Sequence, residues 1–140
     1  MVEINNQAGS QVEEQKLQKV AQRFLDYYNL SSLSVSLAFL KSEEMRKINQ
    51  TYRGINKTTD VLSFLASSEE KKEDNFLGEI LFDYEQIRKQ AKDLDRGEEE
   101  ELIFILIHGL LHLLGYTDET PEEKQKMIKL GNELTEKFVK

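Results

Sequence analysis

A run of six apolar residues, Leu-Ile-Phe-Ile-Leu-Ile at positions 102–107, constrains the fold of this chain more than any other feature. The run lies within a helical pattern that extends over about residues 98–114 and ends at Gly115. Because the segment is apolar on every side, we expect other elements to surround this helix. The chain has two histidines, His108 and His112, and both lie in the same helix. The fold therefore has to place two imidazoles beside a buried core.

His108 and His112 are four residues apart, so their side chains share one helix face and can reach one ion. Gly115 ends the helix and lets the chain turn back, which brings Asp118 within reach of the same point. Two imidazoles and one carboxylate leave a fourth position for water, as in a catalytic zinc site. We therefore predict that His108, His112 and Asp118 bind one divalent metal ion, with zinc as the expected ion. The alternative is two hydrogen-bonded helix histidines and an aspartate that caps a turn, but uncompensated imidazoles beside so apolar a segment are costly.

The spacing of these residues, His-x-x-x-His-x-x-Gly-x-x-Asp, is similar to that of metzincin-type zinc peptidases. In those enzymes the residue after the first histidine is a glutamate, the general base that activates the zinc-bound water. Position 109 of this chain is a glycine, which cannot accept a proton. The pattern therefore predicts a metal site of this kind but disfavours peptide hydrolysis.

Periodic apolar residues and capping patterns predict five helices. A capping box of Ser10 with Glu13 is expected to open the first helix, and Asp83 with Gln86 the third. Gly97 is expected to end the third helix. The other three helices are predicted to begin near Ser42, Glu98 and Thr120.

Short apolar or alternating runs predict strands at residues 35–39, 61–65 and 77–82, with residues 2–4 as a candidate fourth strand. The charged stretch at residues 68–75 is predicted to be a flexible loop. Strands interspersed with helices predict an α/β or α+β domain in which helices pack against one sheet.

A length of 140 residues suits a single domain, and we expect residues 1–140 to form one. The chain contains no cysteine, which excludes disulfides and thiolate metal ligands. No apolar run approaches the roughly 20 residues needed to span a bilayer, and the first residues lack the basic and apolar regions of a signal peptide. We therefore expect a cytoplasmic protein with no membrane partner.

The formal net charge of −7 at first sight argues against a nucleic-acid partner. However, residues 69–101 hold thirteen acidic and six basic side chains, so the rest of the chain is neutral overall. Within that rest, residues 41–57 hold five basic side chains against two acidic ones. A local basic stripe of this kind is what meets phosphate groups, although it is also common on solvated helix faces.

Three ordered blocks of the sequence resemble one family. Residues 108–118, HGLLHLLGYTD, are similar to the signature of the YbeY family of bacterial endoribonucleases and rRNA maturation factors. Residues 48–54 and 59–64 resemble that family's "LNxxYR…TDVLSFP" segment, with Leu65 in place of its proline, and residues 77–80 resemble its "LGDI" strand. The resemblance extends over roughly residues 35–118.

The resemblance implies a single zincin-like α+β domain with one mixed sheet of about four strands and about five helices. It also implies a zinc ion, a cytoplasmic location and metal-dependent cleavage of single-stranded RNA in 16S rRNA 3′-end maturation and ribosome quality control. The partners would be single-stranded regions of 16S rRNA and the small ribosomal subunit with its proteins, and not DNA. His108 and His112 match the first two metal ligands of the family. Its third ligand is usually histidine where this chain has Asp118, and a carboxylate there favours harder ions such as manganese.

The resemblance also assigns catalytic positions to His108 and to Arg53, which matches the arginine that the family needs for activity. An arginine in the last turn of a helix also interacts favourably with the helix dipole, and that is the structural alternative. The functional interpretation is a planar guanidinium that binds a phosphodiester bidentately. We expect Tyr52 to lie in the core, and Tyr116 to be either core or a stacking platform for a base.

Two alternatives to a ribonuclease stay open on the sequence. One is a ribosome-associated binding factor whose metal is structural. The other is a zinc metallopeptidase, which Gly109 disfavours.

Overall fold

A four-stranded sheet organises the computed structural model, which describes residues 1–140. In chain order the elements are β1 (Val2–Asn6), α1 (Glu14–Tyr27), β2 (Ser34–Phe39), α2 (Ser42–Arg53), β3 (Val61–Leu65), α3 (Ser68–Glu73), β4 (Phe76–Phe82), α4 (Tyr84–Asp93), α5 (Glu98–Leu113) and α6 (Pro121–Val139). No helix has the length and apolar character that crossing a bilayer requires.

The strands are arranged in the order β1-β2-β4-β3. β1, β2 and β4 run parallel, and β3 runs antiparallel to β4, with Ser63 opposite Ile80. β3 therefore pairs on one side only and forms one edge of a mixed sheet. The predicted α+β fold with one mixed sheet of about four strands is confirmed, and residues 2–4 do belong to a strand.

The apolar helix α5 lies at the centre of the larger core, as its sequence predicts. Leu106, Ile107, Leu110 and Leu111 are fully buried, and α5 contacts α1, α4, α6 and the two strands β3 and β4. Burial on this scale fixes the axis of α5 against the sheet. The two histidines near its C-terminal end therefore have a rigid support.

The opposite face of the sheet is covered at one end by α2. Met45 of this helix packs with Leu62 and Leu81 in a smaller core, and Ile48 and Phe64 are partly buried against it. This packing places the C-terminal end of α2 next to the edge strand β3.

The stretch at residues 68–75, predicted as a loop, instead contains the sixth helix, α3. Ser67 forms a capping box: its hydroxyl accepts a hydrogen bond from Glu70 N, and the Glu70 carboxylate accepts one from Ser67 N. Glutamate and lysine are good helix formers, and here two glutamates lie in the first turn and two lysines in the last turn, which suits the helix dipole. The dense charge of the stretch therefore marks an exposed helix and not a loop.

Two of the predicted helix boundaries are wrong, and the other predicted helix starts are confirmed. α1 begins at Glu14 with no side-chain cap, because the backbone of Ser10 is hydrogen-bonded to the side chain of Asn6 instead. Gly97 is the N-cap of α5 and does not end α4. The caps at Asp83 and Thr120 are present as predicted.

Candidate metal centre

The two histidines lie on the last turns of α5 with their rings facing the same point. Their Nε2 atoms are 3.1 Å apart. The helix ends at Leu113, and Gly115 takes a φ of +98°, a left-handed conformation that reverses the chain. Asp118 lies on the segment that follows, with its Oδ2 at 3.5 Å from His108 Nε2 and 3.7 Å from His112 Nε2. The structure thus brings together the three residues that the sequence selected.

The distances between these three atoms fit one tetrahedral ion. Ligand atoms at about 2.1 Å from a metal at tetrahedral angles stand about 3.4 Å from one another. The three separations of 3.1, 3.5 and 3.7 Å lie around that value. The group therefore matches three corners of a tetrahedron and leaves the fourth corner to a non-protein ligand.

A backbone carbonyl determines which nitrogen of His112 is free to bind a metal. His112 Nδ1 lies 2.9 Å from the carbonyl oxygen of Tyr116. Because a carbonyl only accepts hydrogen bonds, Nδ1 is the protonated nitrogen and Nε2 keeps its lone pair. Metal-binding histidines are commonly oriented by such a contact on their other nitrogen. The turn at Gly115 supplies this contact by directing the Tyr116 carbonyl back towards α5.

His108 is held in the neutral form that ligation requires. Burial lowers the pKa of His108 below its usual value, and the neighbouring His112 lowers the pKa further. The carboxylates of Asp118 and Asp60 oppose this shift without reversing it. The imidazole lone pair is therefore available at neutral pH.

Gly109 lies where α5 packs closely against the sheet. A Cβ atom at this position would lie 3.0 Å from Ile80 Cγ2 and 3.2 Å from Ser63 Oγ. The Ser63 hydroxyl donates a hydrogen bond to the Gly109 carbonyl oxygen at 3.1 Å. The position thus lacks both the carboxylate of a peptidase base and the space for one.

A cleft of about 500 Å³ opens in front of the metal-ligand group. Its lining includes His108, His112 and Asp118, together with residues of the edge strand β3 and Arg53 from the last turn of α2. Arg53 is exposed and no carboxylate lies within ion-pair distance of it. Two distant blocks of the sequence therefore meet at one cleft, as their shared resemblance to a single family implied.

Asp60 also lines this cleft and was given no role from the sequence. Its Oδ2 accepts a hydrogen bond from Gln90 Nε2 at 3.1 Å, and its Oδ1 accepts one from the Thr59 hydroxyl at 3.2 Å. The sequence feature that could have identified Asp60 is its position in the block at residues 59–64. Its partner Gln90 could not be found in this way, because it lies in a helix that bears no recognisable motif.

The expectation that Tyr52 lies in the core is wrong. Its side chain is 68% exposed, and its ring stands 5.0 Å from that of Phe64 at an interplanar angle of 66°. Helical periodicity placed Tyr52 on the inward face of α2, but this last turn extends beyond the sheet edge. Tyr116 is 41% exposed and lines the cleft, so it is not a core residue.

The fold and this group define a class: α+β domains in which a buried helix and the turn after it present a histidine pair and a carboxylate that fit one divalent metal ion. Residues 3–139 match the sequence model of the family described as Endoribonuclease YbeY. The chain therefore belongs to the Endoribonuclease YbeY family.

Individual relatives agree with this assignment. The Endoribonuclease YbeY of Persephonella marina is 35% identical over 136 residues, which cover 95% of this chain and 89% of that protein. The Endoribonuclease YbeY of Limosilactobacillus reuteri is 32% identical over an alignment that covers 98% of this chain and 96% of that protein. The solution structure of a Thermotoga maritima protein superposes with a TM-score of 0.66 at 23% identity, covering 97% and 87% of the two chains. That likeness supports the fold.

Proposed function

We propose that residues 1–140 form a metal-dependent endoribonuclease that cleaves single-stranded rRNA. Family membership supports the ribonuclease class, since the relatives are named endoribonucleases. The observation that carries the proposal is the convergence of three metal-ligand atoms in a cleft that also contains an unpaired arginine.

Zinc is the ion that we propose for His108, His112 and Asp118. Two imidazoles and a carboxylate form a common ligand set for catalytic zinc, and the spacing of the three atoms suits it. A bound divalent ion would polarise a phosphoryl oxygen or lower the pKa of a water molecule. Because a carboxylate replaces the usual third histidine of the family, manganese is the competing ion.

Arg53 is the residue that we propose to bind the reacting phosphodiester. No carboxylate neutralises its guanidinium, which therefore stays available for a second anion. A guanidinium can donate two parallel hydrogen bonds to phosphoryl oxygens and stabilise the charge that builds on them during cleavage. His108 contributes by holding the metal, which makes it catalytic through the ion.

The distribution of charge favours an anionic substrate at this end of the molecule. The excess acidic charge is confined to residues 69–101, whereas Lys47, Arg53 and Lys57 belong to the basic stretch at residues 41–57 and form no ion pairs. Arg46 in the same stretch is paired with Glu43. Local positive charge that is not neutralised attracts phosphate even on a chain of net negative charge.

We further propose a cytoplasmic protein that acts in 16S rRNA 3′-end maturation and ribosome quality control. Its partners would then be single-stranded regions of 16S rRNA and the small ribosomal subunit with its proteins, and neither DNA nor a membrane. The sequence blocks shared with the family support this proposal. The alternative of a binding factor with a structural metal is less well supported, because the metal-ligand group opens into a cleft.

An RNA-cleavage assay tests the ribonuclease proposal. The zinc-loaded protein is expected to cut a single-stranded rRNA fragment, and both chelator treatment and His108→Ala should remove the activity. Structured double-stranded RNA of the same length is the matched control and should resist cleavage. Cleavage that persists unchanged in the metal-free protein and in His108→Ala would refute the metal-dependent mechanism.

A further inference from the structure

We propose that Tyr52 and Phe64 form a stacking platform for an unpaired base of the RNA substrate, at the sheet edge next to the cleft residue Arg53. This inference rests on the proposed ribonuclease function and adds to it a defined substrate-binding subsite. The platform consists of these two rings, one from the end of α2 and one from the edge strand β3.

The exposure of Tyr52 is unusual for its position. It belongs to a helix whose Met45 is fully buried, yet 68% of its own surface faces solvent. Phe64 is partly buried against the smaller core and supports the Tyr52 ring at a centroid distance of 5.0 Å and an angle of 66°. In such a tilted pair the rings do not cover each other's faces completely, so at least one aromatic face stays open. A base can stack on an open, supported face of this kind.

Each of the two platform residues has a close neighbour in sequence that lines the cleft. Arg53, the next residue after Tyr52, lines the cleft. Leu62 of β3 also lines the cleft, and Phe64 lies two residues further on the same face of that strand, about 7 Å away. A nucleotide that binds Arg53 through its phosphate therefore has the platform within reach of a neighbouring base.

The charge around the platform favours a nucleic-acid strand over a protein partner. Arg53 and Lys57 lie between its two rings in sequence, and neither forms an ion pair. Asn49 is buried and donates a hydrogen bond from Nδ2 to the Lys57 carbonyl oxygen at 2.8 Å, which fixes the loop after α2 against that helix. Open aromatic faces within a fixed basic surface are the combination that binds single-stranded RNA, because every base offers a ring and every nucleotide a phosphate.

Cleavage kinetics on a single-stranded RNA of about ten nucleotides test the platform. Tyr52→Ala is expected to raise KM by about 5- to 140-fold, the range for losing one stacked base, with kcat changed by less than about twofold. Tyr52→Phe keeps the ring and should keep the KM of the parent. Tyr52 is exposed, so these variants should melt at the temperature of the parent.

Tyr27 provides a matched control that does not line the cleft. It is 49% exposed, its ring stands 5.6 Å from Phe138 in a T-shaped pair, and the Lys137 ammonium lies 4.9 Å from its centroid. Tyr27→Ala should therefore leave KM unchanged although it removes a similar aromatic surface. Since the chain contains no tryptophan, Tyr52→Trp also adds a single reporter. Its fluorescence should be quenched by the RNA, whereas that of Tyr27→Trp should not.

The outcomes separate this inference from the function on which it rests. A zinc-loaded parent that cuts RNA, together with Tyr52→Ala of unchanged KM and an unquenched Tyr52→Trp, would overturn the platform and leave the ribonuclease in place. A parent that neither binds nor cuts single-stranded RNA would overturn both.

Discussion

Two cavities of this domain contain charged side chains but differ in how those charges are satisfied. The larger, of about 780 Å³, lies beyond the carboxyl ends of the parallel strands β1, β2 and β4. There Arg88 pairs with Glu98 at 3.0 Å, and the Tyr84 hydroxyl donates to the same carboxylate at 3.2 Å. Buried Asp83 accepts hydrogen bonds from Gln86 N and the Thr58 hydroxyl.

The smaller cavity, the metal cleft of about 500 Å³, instead brings three potential metal ligands together. His108, His112 and Asp118 point ligand atoms at one another, and Arg53 has no acidic partner. The two histidines and the aspartate offer lone pairs that a cation would satisfy, and the arginine carries a positive charge that an anion would satisfy. The cluster of unsatisfied ligand atoms beside an unpaired arginine, and not the volume of the cavity, therefore locates the candidate active site.

Replacing the arginine of each cavity tests this comparison with the largest expected effect on rate. Arg53→Ala should lower RNA cleavage by about 10²- to 10³-fold, equivalent to about 2.7–4 kcal/mol of lost charge stabilisation. Arg88→Ala removes an exposed pair, so it should leave cleavage unchanged and cost about 0–1 kcal/mol of stability. Single-turnover cleavage rates and thermal melting measure both effects.

Arg53→Lys refines the same prediction, because it keeps the charge and loses the bidentate geometry. Its cleavage rate should lie between those of the parent and Arg53→Ala. If Arg53→Ala holds its metal, melts normally and cuts at the parent rate, Arg53 is an ordinary cation at a helix end.

The third ligand gives the next largest effect. Asp118→Ala should weaken zinc binding by at least about 100-fold, because removing a direct ligand should cost more than removing the outer-shell partners that orient ligands, whose loss costs about 10- to 100-fold. Asp118→His restores a nitrogen ligand and should retain or tighten binding. Competition titration with a zinc indicator measures the affinities, and Glu98→Ala in the larger cavity is the control. An alanine variant that binds zinc as tightly as the parent would reduce Asp118 to a turn residue.

Substitutions at Gly109 test the close packing that distinguishes this site from a peptidase site. Gly109→Ala gains about 1 kcal/mol of helix propensity but loses about 1–3 kcal/mol through crowding against Ile80. The free energy of unfolding should therefore fall by between about 0 and 2 kcal/mol. Gly109→Glu has to displace the sheet and should destabilise by about 3 kcal/mol without creating peptidase activity. Chemical denaturation measures the stability of both variants, and a casein assay measures peptidase activity. A stable Gly109→Glu protein that cleaves casein would contradict this account of the packing.

The smallest effect is expected away from both cavities, in α3. Ser67→Ala removes the side-chain half of its capping box and should destabilise the helix by about 0.5–1 kcal/mol. Since no residue of α3 is buried, this should appear as faster hydrogen exchange at residues 68–73 with little change in the global melting temperature. Unchanged exchange at these residues would show that the cap does not stabilise the helix.

Local patterns predicted the features of this fold that depend on local physics. The cap at Thr120 and the strand at residues 61–65 follow from short-range propensity and alternation, and the structure has them. The order of the strands and the antiparallel direction of β3 depend on pairing between distant segments, which no local pattern encodes.

The same division holds for the site. The ligand spacing in α5 is local and could be predicted from the sequence, including the turn at Gly115. The exposure of Tyr52 could not, because it depends on where α2 ends relative to the sheet edge. The hydrogen bond from Gln90 to Asp60 joins a helix and a loop thirty residues apart and is visible only in three dimensions.

Metal analysis of the protein purified without chelator tests whether His108, His112 and Asp118 bind an ion. About one zinc or similar divalent ion per chain is expected, because three protein atoms with tetrahedral spacing bind one ion. The same preparation of His108→Ala should lose that ion. A parent protein that contains no bound divalent ion and takes up none on titration with zinc or manganese would contradict the metal centre and the mechanism built on it.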